Sequence, residues 1–229
     1  KQLPGINNSN ILGEPTLRNT APCIAYAMYR IHKINPEANC VIAPSDHLIM
    51  DETEFDRIIN MAFDFTEKND ALVTLGIKPS RPDTGYGYIQ FFGNIKDGIC
   101  KVKTFTEKPT LEIAREFLES GEFLWNASIF VSKTKTILRE IERLNPDIAS
   151  VFQRGIDLFN TEEEADFINM NYPTCENISI DYGVMEKSDN VHVIPADFGW
   201  SDLGTWGSVY EQHNKDENSN TITGKNVKT

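Results

Sequence analysis

The stretch Cys40 to Asp51, C-V-I-A-P-S-D-H-L-I-M-D, sets the terms for the rest of the chain. Val41, Ile42 and Ala43 form a short apolar run of the kind found in a strand buried within a mostly parallel sheet. Pro44 lacks the N–H that a ladder needs, so the strand ends there. Ser45, Asp46 and His47 follow its carboxyl end, where open α/β sheets bind their ligands. A carboxylate there suits a hard, oxygen-preferring cation such as magnesium. It also suits the cap of the helix that follows, and spacing alone leaves both readings open. A second stretch far downstream, Phe198 to Trp206 or F-G-W-S-D-L-G-T-W, favours the site. There Asp202 lies between Trp200 and Trp206, with Gly199 and Gly204 allowing a tight turn. Bulky aromatics around a lone carboxylate would strengthen a metal–carboxylate bond. Asp202 is also placed to cap a helix over about 203–212, and the two jobs are compatible.

Composition bounds the function. The chain has 229 residues, enough for one large α/β domain or two small ones. Lys plus Arg number 22 against 34 Asp plus Glu, a net charge of −12. That balance argues against a nucleic-acid partner or an anionic membrane surface. A small phosphorylated ligand remains open, because one divalent cation and a few placed lysines overcome the background locally. Cys23, Cys40, Cys100 and Cys175 have no paired or metal-type spacing, which points to a reducing compartment and to core positions. No apolar run approaches membrane-spanning length and the N-terminus does not read as a signal peptide, so a cytoplasmic protein is expected.

Outward from the first stretch, the elements alternate. Asn19 or Thr20 caps a helix with Pro22 in its first turn, running to about His32; its amino end is a candidate receiver of a phosphate or base edge. Phe55, Ile58, Ile59, Ala62 and Phe63 mark a second helix within Asp51–Asn69, and Ala71–Gly76 a buried strand. Helix, strand, helix, strand predicts a parallel sheet with crossover helices. Gly85-Tyr86-Gly87 then opens a strand and permits close approach of a backbone to a ligand, or marks a bulge. A hairpin turn over 94–98 leads to a strand at Ile99–Thr106, which ends in Glu107-Lys108-Pro109. As strand neighbours, Glu107 and Lys108 should point to opposite sides and not pair with each other. Glu107 suits sugar hydroxyls and Lys108 a phosphate; plain exposed charge is the alternative. Thr110 should cap a helix through Glu119. Asn126 interrupts the apolar strand Phe123–Ser132 and needs a partner. Helices at Lys133–Leu144, Asp147–Asn160 and Thr161–Asn171 suggest a helical insertion, Asp181 starts a short helix, and Val191–Ala196 is a strand.

Read in order, these blocks resemble the sugar-phosphate nucleotidylyltransferases, and among them the bacterial mannose-1-phosphate guanylyltransferases. The blocks that carry the resemblance are Arg18–Pro22, Ala43–His47, Thr84–Ile89, Phe105–Pro109, Trp125–Phe130, Ser179–Glu186 and Gly199–Trp206. Each is weak alone, but seven in order across nearly the whole chain make a specific signal. The resemblance implies a Rossmann-like α/β fold and transfer of GMP from GTP to mannose 1-phosphate, giving GDP-mannose and pyrophosphate. It implies that Asp46 and Asp202 hold magnesium, with His47 beside them. Arg18, Asn19 and Thr20 would lie near the nucleotide. Gly87, Glu107 and Asn126 would contact mannose, Lys108 its phosphate, and Asp181 would sit close by. The family's glycine-rich, arginine-containing phosphate loop and its Pro-Lys pair have no counterpart in these 229 residues. A single domain shortened at its N-terminus is therefore expected, with negligible turnover on its own and an exposed strand edge prone to homodimer formation. Two alternatives remain: another sugar-1-phosphate nucleotidylyltransferase, and a non-catalytic sugar-nucleotide-binding regulatory relative.

Overall fold

The strands alternate their side chains between two separate apolar layers. In β2 (Leu72–Ile77), Val73 and Leu75 join Ile58, Ile59 and Ala62 of α2 (Glu52–Lys68), whereas Leu72 faces the opposite layer. That second layer is filled by Ile24, Ala25 and Met28 of α1 (Thr20–Ile34), Ile137 and Ile141 of α4 (Thr134–Leu144), and Ile148 and Phe152 of α5 (Pro146–Gln153). The result is helices on both faces of one sheet, the arrangement that buries a two-faced apolar strand. The structure, a computed structural model, describes residues 5–93, 98–204, 210, 215–216 and 219–221.

The remaining elements are β1 (Asn39–Ile42), β3 (Tyr88–Phe91), β4 (Cys100–Thr106), β5 (Phe123–Lys133), β6 (Val191–Ala196), α3 (Leu111–Ser120) and α6 (Glu164–Asn171). The strand order is β1-β5-β2-β6-β4-β3, and β5 also pairs with β3. The α/β class holds, but a mostly parallel sheet does not. Among the described residues only β2 and β6 lie side by side in parallel, and the other pairings are antiparallel. The cause is that an unbroken apolar run reports burial on both faces and carries no information about the direction of its neighbours. The crossover logic survives one position removed. β1 and β2, joined by α2, run the same way because each is antiparallel to β5, which lies between them.

Other boundaries moved for local reasons. The helix expected over 147–160 stops at Gln153, because Gly155 follows and the Phe167 ring packs where any Cβ on it would stand, 2.2 Å away. Thr110 precedes α3 without a capping side-chain bond. Cys100 and Cys175 are buried, but Cys23 is exposed, on the outward side of α1. The hairpin turn over 94–98 and the helix after Asp202 fall largely outside the described residues. β1 ends the sheet, and Val41 on it is 37% exposed. No helix among the described residues is long and apolar enough to cross a membrane.

Candidate active site

Two loops far apart in sequence are clasped by their main chains. Leu48 N donates to Ser201 O at 2.7 Å and Ser201 N returns a bond to Leu48 O at 3.1 Å. Met50 N and Asp51 N both donate to Phe198 O, at 3.1 and 3.0 Å. Because the bridge is antiparallel, His47 falls opposite Asp202, with Asp46 one residue beyond. Both carboxylates act on the His47 ring and favour its charged form, but burial outweighs them and holds its pKa below the ordinary value. Trp200 Nε1, a donor only, bonds His47 Nδ1 at 3.1 Å, which fixes that nitrogen as an acceptor. Asp202 Oδ1 accepts from Tyr86 Oη at 2.7 Å and from Gly204 N at 3.1 Å.

Beside this clasp opens a cavity of about 250 Å³, lined among others by Asn19, Thr20, Gly87, Glu107, Lys108, Asn126, Asp181 and Asp202. Its floor is a hydrogen-bonded chain. Asn126, 3% exposed on β5, accepts from Thr74 Oγ1 of β2 at 2.8 Å and donates to Asp181 Oδ1 at 2.9 Å. The polar break in the apolar strand thus has its partners on both sides. Asp181 opens a short wide turn, Asp181–Met185, pinned by Asn145 Nδ2 donating to Gly183 O at 2.8 Å. The same segment holds the start of α1, through Ile180 N to Thr20 Oγ1 and Ala21 N to Ile178 O. Burial raises the Asp181 carboxyl above the usual carboxylate range despite its amide partner.

Glu107 lies just past β4. Its backbone N donates to Glu186 Oε1 at 2.8 Å. Its side chain is 8% exposed, and Oε2 is buried with no hydrogen-bond partner. Burial, reinforced by Asp181 and Glu186 and opposed by Lys108, pushes its pKa up to about 7. Gly87 leaves room for this carboxylate: a Cβ there would stand 2.5 Å from Glu107 Oε2. The expectation that Glu107 and Lys108 avoid each other is wrong, since Lys108 Nζ lies 3.4 Å from Glu107 Oε1. Strand alternation ends at Thr106, and Lys108 takes φ +47, which folds it back. Asn19, Ser128 and Leu203 share this left-handed φ. Four of the six such non-glycine residues among those described therefore border the cavity or follow Asp202, and backbone strain of this kind gathers at functional sites.

Two expected residues stand apart. Asp46 is exposed, acts on the neighbouring His47 ring, and does not line the cavity. The Arg18 guanidinium bonds the Pro173 carbonyl and does not line the cavity. Conversely, Tyr86, Ser128, Ser179 and Tyr182 line it and were not among the expected site residues. Only Tyr86 had a signal, an aromatic between two glycines; nothing in a serine's identity announces the positive φ of Ser128 within a strand. Among the described residues no cluster of three or more metal-type side chains occurs. The donor chemistry of Asp202, and of Asp46 beside His47, is of the kind magnesium takes, one or two carboxylates at a time with water and substrate phosphates completing its shell.

Carboxylates past the strand ends, a lysine and an acceptor-rich pocket gather at one end of an α/β sheet. The nucleotidyl transferase pattern matches residues 3–219, and the chain belongs to that family. It is 37% identical over 235 residues to an Escherichia coli protein named mannose-1-phosphate guanylyltransferase, covering 98% of this chain and 50% of that one. A Thermus thermophilus crystal structure described as mannose-1-phosphate geranyltransferase matches with TM-score 0.77 and 27% identity, over 87% of this chain and 56% of that one. A Helicobacter pylori crystal structure described as mannose-6-phosphate isomerase matches with TM-score 0.68 and 30% identity, over 82% and 72%. The chain spans about half the length of the curated relatives it matches.

Proposed function

We propose that this chain carries the nucleotidyl-transfer site of a mannose-1-phosphate guanylyltransferase, moving GMP from GTP to mannose 1-phosphate. The observation that carries the reading is the main-chain clasp that sets the Asp46–His47 turn against Asp202, with His47 and Asp202 lining a cavity shared with Glu107, Asn126 and Asp181. The name of the Escherichia coli relative points the same way.

A phosphate oxygen of mannose 1-phosphate attacks the α-phosphorus of GTP. The new P–O bond forms as the bond to the β-phosphate oxygen breaks, and pyrophosphate departs with the electron pair. The nucleophile is already anionic near neutral pH, so the step needs no general base. Its obstacle is repulsion between two polyanions, which positioning and fixed charge overcome. Magnesium held by Asp46 and Asp202 would supply charge neutralisation across the phosphates. Lys108, 57% exposed, is free to swing from Glu107 to the sugar phosphate. Glu107 Oε2 and Asp181 accept from sugar hydroxyls, with Asn126 holding Asp181 in place. Gly87 leaves the sugar room beside Glu107. Asn19 and Thr20 border the nucleotide side at the amino end of α1. The cavity, about 250 Å³, is smaller than the ~300–1,000 Å³ of drug-sized sites, so it takes the hexose phosphate while the nucleoside extends along the rim.

The test is calorimetric titration with GDP-mannose and magnesium, beside UDP-glucose and an Asp202→Asn variant. Selective GDP-mannose binding that persists without magnesium, tightens with it, and loses that tightening in the variant is expected. Equal binding of UDP-glucose would overturn the guanosine–mannose assignment, and no sugar-nucleotide binding would overturn the reading altogether.

A further inference from the structure

Tyr86 enters the cavity wall with its hydroxyl already committed. It is 8% exposed, and its Oη donates to Asp202 Oδ1 at 2.7 Å. Gly204 N occupies the same oxygen at 3.1 Å. Both donors therefore converge on Oδ1, and no hydrogen bond reaches Oδ2 among the described residues. The ring is gripped edge-on by Trp125 and Trp200, at centroid distances of 5.0 and 5.3 Å. Behind it Arg81, tied to Asp83 at 2.8 Å, lies 5.9 Å from the Tyr86 ring centre. Arg81 Nη2 donates to Tyr86 Oη at 3.5 Å, which occupies a lone pair of that oxygen and leaves its proton for Asp202.

Tyr86 also divides two cavities. One is the candidate active site; the other, about 550 Å³, lies behind it and is bordered by Lys78, Arg81, Trp125 and Trp200. A tyrosine in such a partition needs its ring for the wall but not its hydroxyl. The hydroxyl has a separate assignment.

We propose that Tyr86 is a positioning residue that locks Asp202 through Oδ1, with Arg81 orienting it from behind, so that Oδ2 is presented to a divalent cation. This rests on the reading of Asp202 as a cation ligand given above. A carboxylate with one oxygen fixed by two donors has lost rotation about its Cβ–Cγ bond, so its other oxygen keeps one direction. Partners of this kind tune affinity through a ligand without touching the metal, and their removal commonly weakens it ~10–100-fold.

The experiment measures Mn²⁺ affinity by electron paramagnetic resonance of the free ion, with GDP-mannose present, for the wild type, Tyr86→Phe and Asp202→Asn. Phenylalanine keeps the ring between the two tryptophans and deletes only Oη. GDP-mannose binding in EDTA is measured in parallel, as a readout of the wall. The expected result is a Mn²⁺ affinity lowered ~10-fold or more in Tyr86→Phe, with binding in EDTA unchanged and Asp202→Asn weaker still. If Asp202→Asn weakens Mn²⁺ binding and Tyr86→Phe does not, the positioning role is overturned while the ligand reading stands. If Tyr86→Phe loses binding equally in EDTA, Tyr86 is a wall residue only and the proposal fails. If the wild type binds no Mn²⁺, or Asp202→Asn binds it unchanged, the ligand reading fails and takes this inference with it.

Discussion

Replacing Glu107 by glutamine should make the protein more stable in alkaline buffer and less able to hold its ligand. The native pKa of about 7 lies above the ordinary value of 4.5. Between those values the folded protein binds more protons at this position than the unfolded chain, so stability falls as pH rises. The contribution is fully present below the unfolded value and lost as pH passes through about 7. The gap between the two values corresponds to at most ~3 kcal/mol. Lys108 beside it is 57% exposed and the cavity mouth admits water, so screening reduces the cost of the ionised form. A figure of about 1–2 kcal/mol is reasonable after that discount. For a chain of this size it amounts to a midpoint shift of roughly 2–8 °C. Glutamine is near-isosteric and neutral at every pH. Thermal unfolding of Glu107→Gln should show a higher midpoint than the wild type at about pH 8 and little difference at about pH 5. Calorimetry on the same variant should show weakened GDP-mannose binding, the common exchange of activity for stability at a strained site. A midpoint difference of the same size at both pH values would refute the argument, because it would then owe nothing to ionisation.

Further outcomes follow from single contacts. Gly87→Ala places a methyl 2.5 Å from Glu107 Oε2 and 3.2 Å from Phe105 Cε1, so the carboxylate must move; GDP-mannose affinity should fall at least ~10-fold, about 1.4 kcal/mol, as calorimetry would report. Asn126→Leu strips Asp181 of a donor and Thr74 of an acceptor inside the core. The cost should be about 2–4 kcal/mol in urea unfolding, and an unchanged midpoint would mean that water replaces the amide. Ser128→Gly relieves a φ of +55. Left-handed strain of ~1–2 kcal/mol against a glycine entropy cost of ~0.5–1 kcal/mol predicts a small net stabilisation, readable as a raised urea midpoint.

Burial was the most legible property of the sequence. Val191–Ala196 and the body of α2 fall where the apolar pattern puts them, because each strand and helix answers to the layer it faces. Strand direction was not legible, since β2 would read the same beside a parallel or an antiparallel β5. Gly87 could be read as a point of close approach, but not that Glu107 is the group approaching it. The Glu107–Lys108 pair was hidden because it depends on a lysine adopting φ +47, a conformation its side chain does nothing to encourage. Asn126 announced that it needed a partner, while Asp181 and Thr74 became its partners only once the sheet was assembled. Arg18 illustrates the converse: the family resemblance puts it near a nucleotide, and the fold instead gives its guanidinium a backbone carbonyl to hold.

The clasp between the loops of Asp46 and Asp202 is made of amides and carbonyls, and so is blind to most side chains. Leu48 and Met50 could each be exchanged with its backbone bonds kept, provided neither became proline, whereas Asp51 also caps α2 and Ser201 is buried. Gly199 is a further exception, with φ +63 and Met50 Cβ 2.6 Å from where its own Cβ would be. Drift along these loops can therefore run far while the His47 turn stays set against Asp202. What descent must preserve here is a few donors and one bare backbone position, which no count of matching residues measures.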